Sequence, residues 1–74
     1  MKLVEINWVD SCGSPTIWEE PEPMPPLSII SIGYLLEKND KYVTICQSVS
    51  ESENVGRRFT IPAGCIKKIK VIRK

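Results

Sequence analysis

The sequence has 74 residues and contains no histidine, which limits what its reactive side chains can do. Ser11 and Cys12 are the candidate nucleophiles, adjacent to Asp10 in the run "WVDSC". A hydroxyl or thiol nucleophile needs a neighbouring base that is itself held by a third group. Here the only bases are carboxylates and lysines, so enzymatic hydrolysis is not expected and no catalytic residue is assigned. Cys12, Cys46 and Cys65 are odd in number, widely spaced and without a CxxC pair. That pattern favours neither a zinc cage nor a disulfide framework. The expectation is a protein without metal or cofactor whose three thiols stay reduced in a cytosol.

Binding chemistry is better represented. Asp10 and Ser11 follow a strand-like run, where two readings stand side by side. They either bond nearby backbone amides in a local Asx or Ser turn, or they offer directional hydrogen bonds to a ligand at a rim. Trp18 lies in a proline-rich stretch with few sequence neighbours to bury it, so it folds over the body, packs on a second subunit or stacks on a ligand. Gln47 falls in line with Val43 and Ile45, and next to it stands Ser48. Gln47 satisfies backbone groups just beyond the core or reads a ligand amide or base edge. Arg57 and Arg58 follow Gly56 and suit a phosphate, because a guanidinium fork matches phosphate oxygens and glycine admits close backbone approach. The plain alternative is a solvated hairpin end. Lys67, Lys68, Lys70, Arg73 and Lys74 form a basic cluster that reads first as the wet face of an edge strand.

Ten Lys and Arg against nine Asp and Glu give a formal charge of +1. A protein that grips long polyanions usually carries a marked basic excess, so long nucleic acid is the less favoured partner. No run approaches the ~18 apolar residues of a membrane-spanning helix, and "MKLVEINWV" is too short for a signal peptide. The expected setting is soluble and cytoplasmic, with no membrane partner.

The elements that must position these residues are strands. "KLVEINWV" alternates, with Val4, Ile6 and Trp8 on one face. Residues 11–27 hold five of the six prolines, which excludes both helix interior and central strand. "LSIISIGYLLE" and "KYVTICQSV" read as a hairpin joined by "KND", whose Asn and Asp tolerate tight-turn conformations. After a polar tip, "SESENVG", the alternation resumes in "RRFTI", with Phe59 and Ile61 facing alike. "PAGC" then interrupts pairing before the closing strand "IKKIKVI", where Ile69 and Val71 point inward. The reading is an all-β fold, a single domain over residues 1–74. It is a five-stranded small barrel with a long proline-rich loop after strand one.

From Ile29 to Ile72 the chain resembles the Sm-like and SH3-like small barrels, through a glycine-bearing strand ("ISIGYLLE"), the "KND" turn, a variable tip and "FTIPAGCIKKI". Gly33 stands where that family places a glycine to bend its long second strand. The resemblance implies a homo-oligomer, because such barrels extend their free edges with a neighbour's strand. The sequence departs from the RNA-binding members in having no Arg-Gly or Lys-His pair in the fourth strand. The order "WVDS … W … GYLLE … YVTICQS … IPAGCI" is also similar to small proteins of unassigned role encoded by bacteriophages and prophages. That similarity implies a viral accessory protein acting in a bacterial host.

Three functional classes follow. The leading one is a non-catalytic oligomer that binds a small nucleotide-type ligand through Asp10, Ser11, Trp18, Gln47, Ser48, Arg57 and Arg58. Near-neutral charge suits it, since a few arginines neutralise a small anion. In a viral setting, such binding would sequester a host immune signal. The alternatives are an Sm-like ring for RNA or single-stranded DNA, and a protein adaptor that uses polyproline-type segments such as "PEPMPP".

Overall fold

The computed structural model describes residues 1–11 and 18–74. Its strands are β1 (Leu3–Asp10), β2 (Leu27–Lys38), β3 (Tyr42–Val49), β4 (Val55–Pro62) and β5 (Ile66–Arg73), with one 3₁₀ turn at Ala63–Cys65. All pairings are antiparallel, in one sheet of order β4-β3-β2-β1-β5. The chain is therefore all-β, as the alternation predicts. The proline-rich loop expected over residues 11–27 falls partly on residues 12–17, with Cys12, which lie outside the described residues; residues 18–26 belong to no strand, and Leu27 already belongs to β2.

Period-two burial is clearest in β1, where Val4, Ile6 and Trp8 are buried and their neighbours are only half-buried. These three meet Val43 and Ile45 from β3 and Ile61 from β4, with Ile29, Leu35, Cys65, Ile66 and Ile69 packed around them. Trp8 brings a polar atom into this core and satisfies it, because its Nε1–H donates to Ser31 Oγ at 3.0 Å. Expectation and structure part at Val71, which is exposed. It lies on β5 beside a register shift against β1 between Leu3 and Val4, and such irregularities turn the ends of a strand away from regular pairing.

The sheet curls strongly. In a flat sheet β1 and β4 stand three strand steps apart, about 14 Å at the usual spacing. Yet the rings of Trp8 on β1 and Phe59 on β4 lie 5.6 Å apart between centroids. Only a bend that brings the two faces together allows that contact. The sheet does not close through β4 and β5, which remain its two edge strands.

The bend centres on β2. Residues 27–34 of β2 pair with β1, and pairing with β3 begins at Tyr34. At the junction a Cβ on Gly33 would lie 2.8 Å from the Cys46 carbonyl oxygen and 3.1 Å from Ile45 side-chain atoms. The expected glycine is thus required by close approach of backbone, while its φ is ordinary.

The β2–β3 turn forms where "KND" predicts it, but without left-handed backbone, since neither Asn39 nor Asp40 takes a positive φ. Asn39 Oδ1 accepts from the Lys41 and Tyr42 amides at 2.8 and 2.9 Å, fixing the β2–β3 turn as an Asx motif. The β3–β4 tip closes through Ser50 N–H to the Asn54 carbonyl at 2.8 Å, with Glu53 in the left-handed region at φ 65°. This tip is shorter than expected, because Val55 and Gly56 already belong to β4.

Gly33→Ala should destabilise by roughly 1–3 kcal/mol, the usual cost of forcing atoms into a filled site. Gly64→Ala is the control, since a Cβ there meets nothing within 4 Å. Urea unfolding of both variants checks the contrast. Equal midpoints would show that the junction relaxes freely.

Candidate functional site

Where β2 and β3 separate, a cleft opens. Past the Tyr34–Cys46 pair, the amino-terminal half of β2 continues with β1, while the carboxy-terminal half of β3 continues with β4. The space between them has a volume of about 420 Å³ and is lined by Ile30, Ser31, Ile32, Ile45, Gln47, Arg57 and Phe59.

Two of the anticipated binding residues meet here for a reason of register. The ladder pairs Cys46 with Arg58 and Ser48 with Gly56, so Gln47 stands opposite Arg57. The ladder has no pair at that position, and Arg57 adopts φ 57°, a left-handed conformation. For a residue with a side chain this conformation costs about 1–2 kcal/mol. Such outliers persist only where the surroundings enforce them, and they concentrate at functional sites. Phe59 completes the group. Its ring meets Trp8 in a tilted contact at 55°, yet the residue is 44% exposed, so surface of this residue remains for a ligand.

The other anticipated residues lie apart from this group. Ser48 faces a separate hollow, of about 460 Å³, with Met1, Tyr34, Gln47 and Val49. Arg58 belongs to a shallow surface with Tyr42, Thr44 and Thr60, which it shares with Arg57; there the Thr44 and Thr60 hydroxyls hydrogen-bond at 2.8 Å. Asp10 and Ser11 end β1 and do not line the cleft; the Ser11 amide donates to Asp10 Oδ1 at 2.8 Å. Trp18 is 90% exposed and also lies outside the cleft lining. In the basic carboxy-terminal cluster, Arg73 donates to the Tyr34 hydroxyl at 3.2 Å, and Lys67, Lys68, Lys70 and Lys74 are exposed.

Gly56 is singled out in the sequence for close backbone approach; a Cβ there would meet only Ser48 Cβ at an ordinary 3.6 Å, and among the described residues no glycine takes a positive φ. The left-handed backbone belongs to Arg57 instead. Sequence reasoning also missed Phe59 as a cleft residue, because alternation places it with Ile61 on the core face and gives no sign that the core ends between them.

Among the described residues, no three His, Cys, Asp or Glu side chains converge as a metal site, and no helix is long and apolar enough to cross a membrane. Cys46 and Cys65 are free thiols. No protein-family model, curated protein or solved structure matches the chain.

Replacing Arg57 by glycine tests the strain. Arg57→Gly should hold or raise stability by up to about 1 kcal/mol, because glycine takes the left-handed region without steric cost. Arg57→Ala should gain nothing, since the Cβ clash remains. Denaturant midpoints report both, and a loss above ~1 kcal/mol for the glycine variant would show that this backbone conformation is not adopted in solution.

Proposed function

We propose that this protein is a non-catalytic binding module, a small β-barrel that takes a small nucleotide-type ligand in the β2–β3 cleft. The observation that carries this reading is the convergence of Gln47, Arg57 and the half-exposed Phe59 on one cleft. An aromatic face stacks on a base, an amide reads a base edge, and a guanidinium fork holds a phosphate. The volume falls within the range of small-molecule sites, roughly 300–1,000 Å³. A formal charge of +1 fits a compact anion better than a polymer, whose grip needs many cations spread over a surface.

The barrel reading draws support from the Trp8–Phe59 contact, which folds the sheet upon itself. The unpaired edges β4 and β5 are where a homo-oligomer would join, since an exposed edge is a template for a neighbour's strand. In a phage-encoded setting, the module would withdraw a nucleotide signal from its host. The RNA-ring alternative gains no support from the cleft, where Arg57 is the one cation in the lining among the described residues.

A panel of mono-, di- and cyclic nucleotides, read by thermal shift against short oligonucleotides, tests the proposal. At least one small nucleotide should raise the melting temperature. Arg57→Ala and Gln47→Ala should each weaken its binding about tenfold or more, the usual cost of an unmade hydrogen bond to a charged or buried group. Oligonucleotide binding should be weak and vanish as salt rises. Tight, salt-resistant retention of RNA, with no response to any nucleotide, would overturn this reading.

A further inference from the structure

Register arithmetic reveals a third open edge, inside the sheet. The Leu35 amide donates to the Lys2 carbonyl at 2.8 Å, so Lys2 and Leu35 form a hydrogen-bonded pair of the β1–β2 ladder. Hydrogen-bonded pairs alternate along an antiparallel ladder. Gly33, Ser31 and Ile29 therefore turn their N–H and C=O groups toward β1, and Ser28, Ile30 and Ile32 turn theirs away. Tyr34, of the same parity, uses that outward side to pair with Cys46 on β3. Ser28, Ile30 and Ile32 have no strand there among the described residues, and Ile30 and Ile32 are 64% and 53% exposed. An unpaired, apolar stretch of edge is a site for strand addition.

The chain itself carries a segment built for one-sided pairing. In "WEEPEPMP", Trp18 to Pro25, the prolines fall at 21, 23 and 25. Extended, the segment keeps amide donors at Trp18, Glu20, Glu22 and Met24 along one edge, while Pro21, Pro23 and Pro25 line the other, where no donor is wanted. Proline is tolerated in a sheet on such an outward-facing edge. Donors spaced by two residues match outward groups spaced by two on β2. Side chains of directly opposed residues share a face, so Trp18 and Met24, both exposed, would come to lie with Glu20 and Glu22 on the same face as Ile30 and Ile32.

The segment cannot easily reach its own β2. To fold back it would need a tight turn over residues 23–27, yet Met24 and Pro25 each precede a proline and are held out of the helical region that such turns use. That stretch stays extended and carries Trp18 away from Ile32. We infer that Trp18–Met24 of one copy adds as a strand to the open edge of β2 at Ser28, Ile30 and Ile32 of a second copy. In the free chain the segment bends at Pro21, where the Glu22 amide donates to the Glu20 carbonyl at 2.8 Å. That local turn opens on docking and its groups pass into the ladder. The inference does not rest on the cleft's ligand, but Ile30 and Ile32 also line the cleft, so strand addition and ligand binding would compete for this edge.

Amide hydrogen exchange on the full chain is the test, in wild type and in Glu20→Pro, which removes a donor from the pairing edge and lies outside every strand of the fold. The Ile30 and Ile32 amides should exchange slowly in wild type and about tenfold or more faster in Glu20→Pro. The Gly33 and Ser31 amides, held by β1, should not change. Glu19→Pro blocks only the opposite edge and should leave Ile30 and Ile32 protected. Fast exchange at Ile30 and Ile32 in wild type, or protection that survives Glu20→Pro, would overturn the inference. So would equal loss of protection in the two proline variants.

Discussion

The close approach of Gly33 to the Cys46 carbonyl, 2.8 Å for a hypothetical Cβ, is the constraint on which the remaining architecture depends. It lets one strand belong to two directions of the sheet, first with β1 and then with β3. A side chain at that point would hold the strands apart and flatten the junction. With glycine the sheet bends, β4 swings toward β1, and a chain too short for two stacked layers encloses a core between the two arms of one sheet.

Trp8 shows how that core is closed economically. It fills the volume between the arms, contacts Phe59 from the opposite arm, and sends its only polar hydrogen to Ser31. Because Ser31 is also a cleft residue, the hydrogen bond ties core packing to the wall of the candidate site. A shift in the tryptophan ring would be felt on both sides of β2.

Much of this was legible in the sequence, in a definite order. The inward face of β1 and the existence of the turn at residues 38–40 rest on local rules, and local rules survive folding; the glycine of β2 is singled out through the resemblance to small barrels. The cleft was legible only in part. Gln47 and Arg57 could be singled out by type, but their meeting depends on a β3–β4 register fixed by the tip at residues 50–54. The left-handed backbone fell on Arg57 next to a glycine, where propensity alone points to the glycine. Alternation sets Cys46 on the face opposite Val43 and Ile45, yet it is fully buried, next to the close approach of Gly33 to its carbonyl. In each miss the deciding fact is the approach of two strands distant in sequence.

The burial of Cys46 has a further consequence. Its thiol sits at the point where the sheet divides, while Cys65 is only partly covered. A small alkylating reagent would therefore meet Cys65 readily and reach Cys46 only when β2 and β3 part. Among the described residues, these two sulfurs make a native chemical clock, one hand running with solvent access and the other with the breathing of the fold at its branch point.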